Sequence, residues 1–444
     1  MGKYFGTDGA RGRANDGLTL DMAIAIGQYL GWYYGKERHA KILIGKDTRL
    51  SSDMFEMGLA AGATSTGASV YVLGVCPTPS VSYLVQKEHF DCGIMVSASH
   101  NPFYDNGIKL FNGEGCKMNP AVELEVEKYI DKEISITLAH EEKIGSVIEW
   151  DEGLELYESW LKSIVPINLN GMHIALDLAN GSATSCAAQT LTALGATVEV
   201  IYSSPNGINI NNKCGSTHPG ELSKMMSEGT YDVGFAFDGD ADRLIAVDEE
   251  GNLIDGDYTM YICGCYMKDH NLLKDNKVVT TVMSNLGLYH AFRDKGIDFE
   301  QTAVGDKYVF ECMKKHGYTI GGEQSGHVIF NEHANTGDGL LSALKLLEIM
   351  VNTKKSLKEL GNDLFIYPQL LINTPVKDKH VALENTELLQ IVDEVAKELG
   401  DEGRILVRPS GTEPLVRVMV EAKSDDLCEK YVHHVVNFIK EKGL

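Results

Sequence analysis

The sequence predicts an α/β protein with three related mixed α/β domains and a smaller α+β domain at the C-terminal end. Two observations carry this reading. A β-rich run, a polar loop, a helical run and a glycine-led second strand recur at residues 40–74, 172–202 and 277–304. After Tyr367-Pro368 the rhythm changes, and two strands follow one another without a helix between them. Alternating strands and helices at such spacing build parallel sheets covered by helices on both faces. Repeats that start about a hundred residues or more apart are separate domains, since a solenoid needs a far shorter period.

In the first repeat the strand pattern covers residues 40–49, the helix 53–65 and the second strand 67–74. The same order returns at 172–178, 183–194 and 195–202, then at 277–283, 286–295 and 296–304. The last segment reads as a strand near 370–375, a helix at 386–399, strands at 404–408 and 415–421, and a helix at 425–440. An acidic, polar stretch at 130–170 and the stretches 249–257 and 364–375 separate these patterns. The expected domains are therefore 1–150, 151–254, 255–367 and 368–444.

Composition narrows the function. With 43% hydrophobic residues, 45 glycines and a net charge of −23, the chain reads as a globular protein rich in loops. A strongly acidic balance argues against a nucleic-acid partner, which requires a basic footprint. Nine cysteines without paired CxxC spacing fit a reducing compartment, and Cys263 and Cys265 are too close for the usual zinc spacing. The opening residues lack a secretory pattern, and no run of ~20 apolar residues could span a bilayer. A cytoplasmic protein acting on a small molecule, without nucleic-acid or membrane partners and as a monomer or homodimer, is expected.

Two loops carry the chemistry. Ser97-Ala98-Ser99-His100-Asn101-Pro102 follows a strand pattern at 92–96, and Asn-Pro prevents that strand from continuing, so Ser99 lies on a turn. Serine and asparagine also occupy turns for purely conformational reasons. Asp238-Gly239-Asp240-Ala241-Asp242-Arg243 follows the apolar run 233–237 and places three carboxylates on alternate positions. Such acids repel unless a cation offsets them, and a phosphorylated serine carrying ~1.5 to 2 negative charges would share that cation. An EF-hand is disfavoured because Arg243 stands where its sixth-position glycine is required. An aspartyl-phosphate phosphatase would use Asp238 as nucleophile but would leave Ser99 without a role.

Further loops are suited to anions and hydroxyls. Arg408-Pro409-Ser410-Gly411-Thr412-Glu413-Pro414 and the nearby Arg417 offer guanidinium, hydroxyl and backbone N–H donors for a phosphate. Gly322-Glu323-Gln324-Ser325-Gly326-His327 presents a carboxylate and a hydroxyl on a glycine-framed turn. No GxxxxGK[ST] loop occurs, and Gly6-Thr7-Asp8-Gly9-Ala10-Arg11-Gly12 lacks GxGxxG spacing. An ATP kinase or a nicotinamide enzyme is therefore disfavoured.

Five stretches together resemble the α-D-phosphohexomutase superfamily: KYFGTDGARG at 3–12, SASHNPFYDNGIK at 97–109, FDGDADR at 237–243, GGEQSGH at 321–327 and RPSGTEPLVRVM at 408–419. They are most similar to its bacterial phosphoglucosamine mutase branch, and the resemblance covers essentially the whole chain. It implies four domains around a central cleft, and a phosphoserine enzyme with Mg²⁺ that interconverts hexosamine 6- and 1-phosphates. Glucosamine 1,6-bisphosphate would be intermediate and activator, and the product would supply UDP-N-acetylglucosamine synthesis for cell-wall precursors.

Carried over by motif, Ser99 holds the phosphoryl group and, with Asp238, Asp240 and Asp242, ligates Mg²⁺. Arg11, His100 and Lys109 surround the reacting oxygens, with Arg11 or Lys109 handling the proton. Arg243, Glu323 and Ser325 contact the sugar; Arg408, Ser410, Gly411, Thr412 and Arg417 grip the non-reacting phosphate. Asp47 and Arg49 are candidates for supporting the serine loop, although a purely structural role is as consistent with the sequence. Ala241 departs from the glycine commoner in this pattern but replaces no ligand. The alternatives are phosphoglucomutase or phosphomannomutase activity, because the transfer machinery does not read C2, and a catalytically silent sugar-phosphate binder.

Overall fold

The computed structural model describes residues 2–6, 8–410 and 414–444, so Gly411 and Thr412 of the expected phosphate loop lie outside the described residues. The chain divides into two compact units, Met1–Met283 with Ile297–Asn362, and Ser284–Gly296 with Asp363–Leu444.

The first unit contains three sheets with one strand order in common. In each, the first strand of the βαβ repeat lies between the second strand and a third, all parallel, and the third reverses into an antiparallel partner. The central strands are Lys41–Lys46, His173–Asp177 and Lys277–Thr281. Their flanking second strands are Ser69–Val75, Thr197–Ile201 and Asp298–Thr302. The third strands are Cys92–Val96, Val233–Phe237 and Ile320–Gly322, and the antiparallel partners are Asp105–Asn112, Leu244–Val247 and Val328–Phe330. This confirms the expectation of three related mixed α/β domains.

The shared order explains where the motifs fall. The serine loop, the aspartate loop and the Glu323 loop are the same connection in three domains, leaving the carboxyl end of the third strand. That is where open α/β sheets present their ligand sites. Buried apolar side chains anchor these loops: every residue of Cys92–Val96, Val233–Phe237 and Leu244–Val247 is buried. In the first sheet, Phe5–Gly6, Gly9–Ala14 and Gly17–Leu18 extend the Asp105–Asn112 side and bring the Asp8–Arg11 segment beside the serine loop.

Expected and observed elements differ in detail. The helical run at 183–194 opens as a 3-10 turn, Ser182–Ser185, before the helix Ala187–Ala193. Thr184 and Ser185 turn their hydroxyls back onto the carbonyls of Gly181 and Ser182, at 2.6 and 2.7 Å, which competes with α-helical bonding.

The second unit has an antiparallel sheet with Leu415–Ala422 between Gln369–Pro375 and Gly403–Pro409. The helices Thr386–Leu399 and Asp425–Lys442 bury their apolar faces against it. Asn385 and Ser424 cap their N-termini, and in the second, first-turn aspartates and last-turn lysines complement the helix dipole. The helix Leu286–Asp294, which connects two strands of the third repeat, belongs to this unit; Leu286 N donates to the buried Glu421 at 2.9 Å. Among the described residues, no helix is long and apolar enough to cross a membrane.

Candidate active site

Strand Cys92–Val96 delivers the chain to Ser97, whose hydroxyl donates to Asp47 at 2.7 Å and accepts from Ser99 N at 2.9 Å. Ser97 is therefore occupied as a brace. Ser99 adopts φ 52°, a left-handed conformation unusual for serine, and its Oγ is turned onto Asp238 Oδ2 at 2.6 Å. A conformation of this kind costs on the order of 1 kcal/mol and persists only when surrounding bonds enforce it. Arg49 enforces it. Held by Asp47 at 2.8 Å, its buried guanidinium donates to the carbonyls of Ser99, Asn101, Pro102 and Asp105. Asn211 of the second domain adds donors to the Ser99 and Asn101 carbonyls at 2.8 and 3.1 Å. Asp47 and Arg49 thus support the serine loop directly.

The aspartate loop meets the serine loop at backbone distance. A Cβ at Gly239 would stand 2.5 Å from Ser99 O, so glycine is required there by close approach. Ala241 has φ 58°, which accounts for glycine being the easier residue at that position. One carboxylate oxygen from each of Asp238, Asp240 and Asp242 lies within 4.8 Å of the others, all three residues being buried. Burial, then the neighbouring Asp242 and Asp240, push the Asp238 carboxyl well above the usual carboxylate range. Asp240 Oδ1 and Asp242 Oδ1 are buried without a hydrogen-bond partner. Crowded oxygens with unused lone pairs fit a hard divalent cation. The donor set of the acidic triad fits a metal ion.

Cations surround the same carboxylates. Lys109 Nζ, buried, donates to Asp240 Oδ2 at 2.7 Å and Asp242 Oδ2 at 3.2 Å. Despite its burial, Lys109 stays protonated well above its usual range because Asp240, Asp8 and Asp242 face it. Thr78, at a helix start in the first domain, bonds Asp240 through its hydroxyl and, at 2.9 Å, through its N–H. Arg11 pairs with Asp8, which lies 3.6 Å from Lys109 Nζ. His100 Nδ1 stands 3.3 Å from Ser99 Oγ and 3.4 Å from Arg243 Nη1. Burial, with Arg243 and Arg11 beside it, pushes the imidazole down to about 4, so it is neutral at pH 7. Glu323, nearly buried, accepts from Gly305 N at 3.0 Å, and Ser325 is exposed on the same turn.

In the second unit, Arg408 and Arg417 face each other across adjacent strands. Burial, then Arg417, hold Arg408 below the usual arginine range, and Arg417 Nε is buried without a hydrogen-bond partner. Two opposed guanidinium groups destabilise a strand pair and suit an anion between them. Ser410 is buried beside them, and its carbonyl accepts from Lys379 at 2.7 Å.

Several residues of this arrangement were not anticipated. Asp8 lay inside the quoted Gly6–Gly12 motif, so its position before Arg11 was a usable signal. Thr78, Asn211, Lys117 and Asp306 belong to no motif, and folding alone brings them to the site.

Comparison with known proteins agrees with this anatomy. Four family profiles match in order: phosphoglucomutase/phosphomannomutase alpha/beta/alpha domain I at residues 2–137, domain II at 155–251, domain III at 255–366 and the C-terminal domain at 371–438. Phosphoglucosamine mutase of Lachnoclostridium phytofermentans is 55% identical over 444 residues, 100% of this chain and 99% of the relative. That of Bacillus licheniformis is 50% identical over 442 residues, with 99% of each chain covered. A phosphoglucomutase/phosphomannomutase family protein from Burkholderia thailandensis shares the fold at TM-score 0.82 and 23% identity, covering 100% of this chain and 99% of that one. An Aspergillus fumigatus N-acetylphosphoglucosamine mutase, solved with GlcNAc-6P and magnesium, shares it at TM-score 0.71 and 16% identity, covering 100% and 96%. With half or more of its residues identical to these relatives end to end and all four domains in order, the chain belongs to the phosphoglucomutase/phosphomannomutase family, in its phosphoglucosamine mutase branch.

Proposed function

We propose that this protein is an isomerase that interconverts glucosamine 6-phosphate and glucosamine 1-phosphate, with Ser99 carrying the transferable phosphoryl group. The observation that carries the reading is Ser99 Oγ held 2.6 Å from Asp238 at the edge of three buried carboxylates. Asp238, Asp240 and Asp242, with a phosphate on Ser99, would hold Mg²⁺, and the bound cation would neutralise charge on the transferring group.

In the first half-reaction the C1 hydroxyl oxygen of glucosamine 6-phosphate bonds to the phosphorus as the bond to Ser99 Oγ breaks. The product is glucosamine 1,6-bisphosphate. After the sugar turns over, Ser99 Oγ takes back the phosphoryl group from C6, leaving glucosamine 1-phosphate. The proton lost at C1 balances the one gained at C6, and no phosphate is consumed. Arg11 and Lys109 flank the reacting oxygens, one of them handling the proton, and His100, its imidazole pushed down to about 4, supports Ser99 without acting as an imidazolium donor. Glu323 and Ser325 read sugar hydroxyls with Arg243 at their side.

Arg408 and Arg417 bind a phosphate of the substrate. Replacing both with alanine removes charge-assisted bonds of ~1.5 to 3 kcal/mol each, so KM is expected to rise by about tenfold or more and kcat to fall in both directions. Unchanged steady-state constants would exclude this role. Selectivity tests the sugar assignment. A carboxylate that pairs with the C2 ammonium is expected to give glucosamine 6-phosphate about a ten- to hundredfold higher kcat/KM than glucose 6-phosphate. Equal values, or a preference for glucose, would make the protein a phosphoglucomutase instead.

A further inference from the structure

Lys117 follows a short hairpin after the strand Asp105–Asn112 and bridges back to Phe111. Its ammonium donates to Asp8 Oδ1 at 2.9 Å and to Asp306 Oδ1 at 2.8 Å, with Asp306 Oδ2 at 2.7 Å. Asp8 carries Arg11 on its other oxygen and stands 3.6 Å from Lys109 Nζ. Asp306 opens the helix Asp306–His316 of the third domain, and the preceding Gly305 donates its N–H to Glu323. Asp306 also lies 3.7 Å from His327 on the Glu323 loop. One side chain therefore joins the segment that holds the serine-side cations to the segment that holds the sugar-side carboxylate. With Asp8 and Asp306 only 28% and 20% exposed, removing the ammonium leaves two carboxylates facing each other with little solvent to screen them.

We propose that Lys117 is a positioning residue for phosphoryl transfer: by holding Asp8 and Asp306 together it fixes Arg11 and Lys109 in register with the Glu323 loop. The inference rests on the mutase reading. Without Lys117 the two carboxylates separate, and the cations that depend on Asp8 shift with it. A misplacement of about 1 Å reduces a rate by on the order of 10²-fold.

The test compares Lys117→Met and Lys117→Arg with wild type in steady-state assays on glucosamine 6-phosphate, alongside thermal melting. Lys117→Met is expected to lower kcat about 10²-fold with KM altered by less than about tenfold. Lys117→Arg, whose guanidinium can bridge two carboxylates, is expected within about tenfold of wild-type kcat. Lys117→Met with Asp306→Asn should be no slower than Lys117→Met alone, because removing one carboxylate relieves the repulsion. If Lys117→Met does not fold, Asp306→Asn alone decides, with an expected loss of about tenfold in kcat. Wild type that turns over no hexosamine phosphate overturns the mutase reading itself. With active wild type, near-normal kcat in folded Lys117→Met, a loss confined to KM, no recovery in a folded Lys117→Arg, or unchanged kcat in Asp306→Asn overturns the role of Lys117.

Discussion

Replacement of Ser99 by alanine is expected to remove mutase activity by at least about 10³-fold while the protein remains folded, because the covalent phosphoryl acceptor is lost and no neighbouring group can substitute for it. Ser97 is two residues away, but its hydroxyl is committed to Asp47 and Ser99 N. Ser99→Ala deletes the contacts to Asp238 and His100 and leaves Arg49 and Asn211 on the loop carbonyls, so stability should fall by only about 1 to 3 kcal/mol. Conversion of the 6- to the 1-phosphate and a thermal melt, run together, separate loss of chemistry from loss of fold. An active Ser99→Ala enzyme, or an inactive one that has lost its melting transition, would remove the support this variant gives to the assignment.

Asp238→Asn is expected to be the next most damaging change, lowering the rate by on the order of 10²- to 10³-fold, as loss of a charge-neutralising group at a developing transition state does. Its effect on stability has the opposite sign. Asp238 is buried among like charges, and asparagine removes one of them while still accepting from Ser99 Oγ. In chelator the variant should therefore melt at or above wild type. Added Mg²⁺ should raise the wild-type melting temperature, by the linkage of binding to folding, and raise that of the variant much less. A wild type whose melting and rate ignore both chelator and Mg²⁺ would refute the metal site.

The sequence displayed what is local. Strand and helix periods in the three repeats, the Asn-Pro stop after Ser99 and the alternate-position carboxylates each depend on residues a few positions apart. The equivalence of the serine, aspartate and Glu323 loops did not show, because the third parallel strand and its antiparallel partner in each domain carry no repeated motif, only a repeated position in the sheet. Arg49 illustrates the limit in the site. A charged residue after a strand is ordinary, and its function comes from four carbonyls some fifty residues away that reach it only after the first sheet forms. Lys117 and Asp306, separated by 189 residues, meet only because the first and third domains fold into one unit. Gly239 was visible as a loop glycine, but its need for closeness to Ser99 O belongs to tertiary structure.

The identity of the phosphorylated residue is the most direct test. The enzyme, treated with glucosamine 1,6-bisphosphate labelled in its phosphates, should take up one label, located on Ser99 by peptide mass mapping, and should pass it to unlabelled glucosamine 6-phosphate as fast as the steady state turns over. Label on Ser97, or a label on Ser99 that transfers more slowly than turnover, would contradict Ser99 as the phosphoryl carrier.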